Sequence, residues 1–176
     1  MESSKKPERQ TLLTSDRFTV ERVTQTLHDG RQVQKDVVLH PGAVVIIPVL
    51  DDGRVCLIRN YRIAVEQELL ELPAGTLEPP EPPLEAARRE LVEETGFRCQ
   101  SLTLLCEFYM SPGILNERMY AYVATGLTPG AQALEIGEQI AIQPVELEEL
   151  DGMLRDGQIQ DSKSMSALFY FLRYHR

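Results

Sequence analysis

Cysteine is scarce in this chain. Cys56, Cys99 and Cys106 form an odd set with no metal-ligand spacing. That excludes a disulfide scaffold and points to reduced thiols in a cytoplasmic protein. Histidine is as sparse: His28, His40 and His175 are scattered, which leaves zinc without a case. No run of about 18 apolar residues exists, so no membrane-spanning helix is expected. Met1 to Gln10 is polar and lacks the apolar core of a secretory signal. Positive charge is also in deficit, with 18 Lys and Arg against 27 Asp and Glu and a net charge of -9. A partner gripped through many phosphates, such as duplex DNA, is thereby excluded. A small anionic substrate is not, because a bound cation inverts the local charge. Neither a membrane nor a nucleic acid is expected as a partner.

What is present suits one soluble domain: 176 residues, 43% hydrophobic and 26% charged. Residues 1–13 read as a loose polar lead-in. Residues 14–40 read as a β-hairpin, with Phe18, Val20, Val23 and Leu27 before His28-Asp29-Gly30 and Val33 to Leu39 after it. The remainder, 41–176, forms the main domain. Within it, Ala43 to Leu50 and Arg54 to Tyr61 flank the turn signal Asp51-Asp52-Gly53 and predict a central hairpin buried on both faces. Glu68 to Leu72 is a short strand stopped by Pro73. Four prolines between Pro79 and Pro83 precede Leu84, Ala87, Leu91 and Thr95 at helical spacing, and Gly96 follows. This predicts a helix over 83–95 with its apolar stripe on the core. Strands are expected at Leu102–Tyr109, Met119–Ala124 and Ile140–Val145, and helices at Glu146–Arg155 and Ser162–Tyr174. Gly126 to Gly137 reads as an irregular, mobile loop.

The segment Gly75 to Phe97, GTLEPPEPPLEAARRELVEETGF, carries the chemistry. Glu90 and Glu94 are four apart and share a helix face, with Glu93 beside them. The apolar stripe places these carboxylates at the edge of the buried face, where they repel one another unless a cation intervenes. Hard oxygen ligands on a rigid helix suit Mg²⁺ or Mn²⁺. Arg89, four residues before Glu93, is placed to hold one carboxylate. Three glutamates in five residues are ordinarily a solvated acidic face. The register of the whole segment argues otherwise. Gly75, Glu81, Arg89, Glu90, Glu93, Glu94 and Gly96 fall at fixed intervals, and seven identities at roughly 6% each match by chance on the order of 10⁻⁹ per start site.

That register resembles the Nudix box with every fixed position filled. Arg59-Asn60-Tyr61-Arg62, Glu71-Leu72-Pro73-Ala74-Gly75, Ser111-Pro112-Gly113, Glu117 and Gly157-Gln158-Ile159-Gln160-Asp161-Ser162-Lys163 extend the similarity. They point toward ADP-ribose pyrophosphatases and related nucleoside-diphosphate-sugar hydrolases. The resemblance spans about 17–174. It implies a Nudix-type α/β/α sandwich, an α+β fold with a mixed sheet and an N-terminal hairpin. It also implies Mg²⁺-dependent hydrolysis of a nucleotide sugar, ADP-ribose to AMP and ribose 5-phosphate, with GDP-mannose or another nucleotide sugar as the alternative. A catalytically silent regulatory module is the rival of another class.

By the same resemblance Glu90, Glu94 and the Ala74 carbonyl would bind metal, Arg89 would orient the carboxylates, and Gly75 and Glu81 would shape the loop. Arg62 and Glu117 would contact substrate. Phe18 would stack on the base, or serve as a core or interface residue. Glu138 aligns with a metal ligand and is a candidate base; Glu135 is the second candidate, Ile136 standing where relatives have an acid, and Glu93 is the third. A C₂ homodimer through the N-terminal hairpin is expected.

Overall fold

The structure, a computed structural model, describes residues 6–135 and 137–175. The first five residues of the expected lead-in, and Ile136, lie outside the described residues.

The apolar run Ala43–Pro48 forms β4, buried at every position. Side chains alternate across a strand, so such a run belongs inside a sheet covered on both faces. β4 pairs antiparallel with β7 (Ala74–Thr76) and parallel with β9 (Arg118–Thr128), and β8 (Arg98–Tyr109) closes the far edge. On one face Val44 and Ile46 pack with Ala86, Ala87 and Leu91 of α1 (Pro83–Thr95). On the other, Val45 and Ile47 pack with Leu168 and Phe171 of α3 (Ser162–Tyr174) and with Leu150 and Leu154 of α2 (Leu150–Arg155). A second sheet, in the order β10 (Ile140–Val145), β5 (Val55–Arg62), β6 (Gln67–Glu71), adds Val55, Leu57 and Leu70 to this second cluster. This is the expected α+β architecture with a mixed sheet.

Helix α1 begins and ends where its punctuation places it. Pro83 occupies the first turn, and Gly96 adopts φ 74° so that its N–H reaches the Val92 carbonyl. Only the predicted stripe is rotated. Ala86 replaces Leu84 on the core face, and Leu84 is exposed, because the helix packs on β4 through small residues that let it sit close.

Four other expectations are corrected. The segment 8–14 is not loose: it forms β1 (Glu8–Thr14), antiparallel to β2 (Thr19–Thr26), so β1, β2 and β3 (Gln32–Leu39) make a three-stranded sheet. β1 is exposed throughout, so no alternation marks it. β4 and β5 do not pair as a hairpin. The turn at 51–53 forms, but only Val49 and Val55 bridge across it before the strands enter different sheets. β9 runs on to Thr128, through Gly126 at φ 64°. Finally α2 starts at Leu150, and the residues before it form a turn in which the Glu149 N–H bonds the Glu146 carbonyl.

The N-terminal sheet is tied to the main domain at one end. The Val38 N–H donates to the Ile114 carbonyl at 2.7 Å, Asn116 N–H returns to the Val38 carbonyl at 3.2 Å, and His40 N–H donates to Asn116 Oδ1. No helix among the described residues is long and apolar enough to cross a membrane.

Candidate active site

β6 ends its pairing with β5 at Glu71, and the chain turns at Pro73 and passes directly over α1 as β7. Gly75 makes this approach possible. A Cβ there would overlap the Glu90 carboxyl group, so any side chain would evict the carboxylate from its position. Glu90 and Glu94 share the inward face of α1 and are almost completely buried, with 9% and 3% exposure. The Ala74 N–H donates to Glu94 Oε2 at 2.8 Å.

Arg89 holds three carboxylates where one was expected. Its Nη1 donates to Glu90 Oε1 at 2.7 Å and Glu93 Oε2 at 2.9 Å, and its Nη2 to Glu81 Oε1 at 2.7 Å. Nη2 also reaches the Thr76 carbonyl at 3.2 Å. Glu81 Oε1 in turn accepts the Glu78 N–H, which braces the loop before the helix. The guanidinium therefore fixes the loop and two helix carboxylates as one unit.

The charge balance remains unfavourable. Burial pushes the Glu90 carboxyl up to about 7 despite Arg89, with Glu93 and Glu138 adding repulsion. Burial pushes Glu94 up to about 8, opposed by the Ala74 N–H and reinforced by Glu90 and Glu138. Two ionised carboxylates in this position demand a further cation. Among the described residues no three His, Cys, Asp or Glu side chains converge tightly enough to cage an ion by themselves. The donor chemistry nevertheless fits a hard dication: all-oxygen ligands, buried, rigidly based and short of positive charge. Gly75→Ala tests this packing. The added methyl displaces the Glu90 carboxylate while leaving the helix intact. The concentration of divalent cation needed for half-saturation of the site should rise at least about 10-fold, and an unchanged metal titration would sink the assignment.

These groups line a cavity of about 630 Å³, within the usual range for a small-molecule site. Arg62, Ala74, Gly75, Glu90, Glu93, Glu94, Glu117, Glu135 and Glu138 all border it. Phe18 does not. The Ser15 hydroxyl accepts the Phe18 N–H, and the tight turn this makes puts Asp16 and Arg17, not Phe18, at the cavity wall. Glu117 lies 3.5 Å from His40 Nδ1. Arg62 grips Glu71 with two bonds, at 2.8 and 2.7 Å. Asp161 and Lys163, at the start of α3, complete the wall. Sequence reasoning placed Glu71 in the approach to the box but gave it no role, because its partners lie 9 and 92 residues away.

The two loop acids face different ways. Glu138 is close enough to Glu90 and Glu94 to raise both their pKa values, and its Oε2 accepts the Glu135 N–H at 2.9 Å. The Glu135 carboxylate instead lies 3.7 Å from Arg17. The loop is anchored at its front half. Ala133 N–H bonds the Glu93 carbonyl at 3.0 Å, and Gln132 Nε2 bonds the Glu94 carbonyl at 2.6 Å, capping the C-terminus of α1.

Known proteins resemble this chain in sequence and fold. The NUDIX domain profile matches residues 39–169. A methanol dehydrogenase activator of Bacillus methanolicus is 35% identical over 82% of this chain and 79% of its own length. An ADP-ribose pyrophosphatase of Bacillus subtilis (strain 168) is 33% identical over the same shares. A crystal structure of an ADP compounds hydrolase superposes with a TM-score of 0.84 at 30% identity, covering 99% of this chain and 96% of the other. With the profile covering most of the chain and the fold shared end to end, the protein belongs to the Nudix family and is a Nudix hydrolase.

Proposed function

We propose that the protein hydrolyses the pyrophosphate bond of a nucleoside diphosphate sugar, ADP-ribose foremost, with Mg²⁺ as the preferred ion and Mn²⁺ as a substitute. Nudix hydrolases generally use divalent metals. The observation that carries the reading is one cavity with two buried glutamates on one wall and Arg62 and Lys163 on another. Such a wall pair suits a substrate whose diphosphate needs both a bound cation and directed N–H donors. The resemblance of the Bacillus subtilis enzyme and of the ADP compounds hydrolase supports an adenosine substrate.

Glu90, Glu94 and the Ala74 carbonyl would hold the ion, with Glu138 completing the set or acting as base. When bound, the ion neutralises phosphate oxygens and lowers the pKa of water. Arg89 keeps Glu90 and Glu93 in place, and Arg62 and Lys163 orient the diphosphate. Glu117 borders the same cavity and would contact the substrate. A glutamate takes the proton of the attacking water, and the water's elements divide ADP-ribose into AMP and ribose 5-phosphate. Glu138 is favoured over Glu135 because it faces the box carboxylates, whereas Glu135 faces Arg17.

A panel of ADP-ribose, GDP-mannose and other nucleotide sugars assayed with Mg²⁺ tests the reading. ADP-ribose should give the highest kcat/KM; strong preference for GDP-mannose would reassign the substrate, and no turnover at all would favour a silent regulatory module. On the preferred substrate, Glu138→Gln should lose about 10²-fold in kcat and Glu135→Gln much less. If both stay near wild type, Glu93 becomes the base candidate.

We place the enzyme in the cytoplasm, in keeping with three free cysteines, as a C₂ homodimer. Leu12, Leu13 and Phe18 on the N-terminal sheet are exposed and offer the contact surface. Light scattering should give twice the monomer mass at micromolar concentration; a fully active monomer would refute the dimer.

A further inference from the structure

Glu71 is the one fully buried carboxylate among the described residues, and it lies outside the box. A buried carboxylate is tolerated only when paired and hydrogen-bonded. Here it receives three charge-assisted bonds. Arg62 Nε and Nη2 approach its two oxygens at 2.8 and 2.7 Å, and Lys163 Nζ reaches Oε2 at 2.5 Å. Lys163 also touches Asp161 Oδ1 at 2.9 Å. The next residue is pinned as well: Leu72 N–H donates to Ser164 Oγ at 2.7 Å, and that hydroxyl donates to Asp161.

The two cations reach from it to the cavity: the Arg62 side chain keeps 39% exposure and Lys163 12%, and both border the cavity. Arg62 spends Nε and Nη2 on Glu71, and its Nη1 makes no hydrogen bond among the described residues. Arg62 and Lys163 together balance Glu71 and Asp161, so this wall has no excess charge to attract an anion. What it offers is fixed direction. Without Glu71 both long side chains would regain rotamer freedom, which costs affinity when a ligand must order them again.

We infer that Glu71 is a positioning residue for substrate binding: from the interior it holds Arg62 and Lys163 in place so that their free N–H groups meet the diphosphate of the substrate. The inference rests on the nucleotide-sugar reading above. Glu71 lies three residues before Ala74 on the same strand exit, yet its bonds go to Arg62 and Lys163 and none to the box carboxylates, so the inference concerns the substrate wall alone.

The test uses the full chain with Mg²⁺ and two readouts, steady-state kinetics on the preferred substrate and calorimetric binding of inorganic pyrophosphate. Glu71→Gln should raise KM and the pyrophosphate Kd by about 10-fold or more, with kcat within about threefold and the Mg²⁺ activation midpoint unmoved. In an Arg62→Ala background the same substitution should add less than about twofold, because partners in one network are not additive. Glu71→Asp, which keeps the charge but withdraws the oxygens by about one bond length, guards against a misfolded glutamine variant and should also weaken binding. Wild-type affinity in either folded variant, or full multiplication of the effects with Arg62→Ala, would overturn the inference. Failure of the wild type to cleave any nucleotide sugar would instead overturn the functional reading, and the pyrophosphate titration would still judge Glu71.

Discussion

Glu94→Gln is expected to cut turnover by at least about 10³-fold while making the metal-free protein more stable. The two effects have one cause. Glu94 is 3% exposed and its carboxyl is pushed up to about 8 by burial, with Glu90 and Glu138 adding to the shift. A group whose pKa is higher folded than unfolded weakens the fold as it ionises. Below about pH 4.5 the carboxyl is protonated in both states and the penalty is absent. As pH rises through about 7 for Glu90 and about 8 for Glu94, the metal-free fold loses stability. Glutamine can still accept the Ala74 N–H, so it removes the charge and keeps the hydrogen bond. Without metal at pH 8.5 its Tm should exceed wild type by about 5 °C, and the gap should close near pH 4.5. Saturating Mg²⁺ should reverse the order, since the amide is a poor ligand for a hard dication. Calorimetry at both pH values, with and without Mg²⁺, reads all four states. Unchanged turnover, or lower metal-free stability of the variant at high pH, would remove Glu94 from the metal site.

Arg89→Met should destabilise the metal-free protein by about 2–4 kcal/mol at pH 7.5, toward the lower part of what losing one partner of a buried ion pair costs, because the guanidinium is partly exposed. Its guanidinium is 23% exposed and serves Glu81, Glu90 and Glu93, so one substitution leaves three carboxylates facing each other. The loop before α1 should loosen with it, because the Thr76 carbonyl loses its donor too. Arg89→Lys should recover less than half of the loss, since an ammonium cannot span three carboxylates from one plane. Urea titration measures both. At pH 5 the loss should shrink, as protonation relieves the repulsion. A Met variant within about 0.5 kcal/mol of wild type would show that solvent, not Arg89, screens this cluster.

The parts of the fold that were legible in the sequence are those decided locally. Pro83 and Gly96 bracket α1, and the unbroken run at Ala43–Pro48 announces an interior strand. Glu90 and Glu94 were legible for the same reason, since helical spacing alone joins them. What stayed hidden depends on distant partners. The turn at 51–53 is real, yet β4 chooses β9 and β5 chooses β10, strands some 70 to 90 residues away. β1 shows no periodicity because neither of its faces is covered. Leu84 points outward because Ala86 lets α1 approach β4 more closely than a leucine stripe would. Phe18 looked suited to stacking, but the turn made by Ser15 hands the cavity to its two neighbours.

The cap on α1 tethers the loop that carries Glu135 and Glu138. Gln132 and Ala133 clamp the last carbonyls of α1, and the chain rejoins the sheet at Ile140. Only seven peptide steps separate Ala133 from Ile140, so even fully extended the chain between them spans no more than roughly 25 Å. Glu138 is therefore held close to the helix that carries Glu90 and Glu94, and it is tied further by its bond to the Glu135 N–H. Substitutions at Gln132 or at the Gly96–Gly130 contact, where a Cβ on either glycine would collide with the other's backbone, should accordingly shift Glu138 and lower kcat. Substitutions between these anchors that spare Glu135 and Glu138 should change it little.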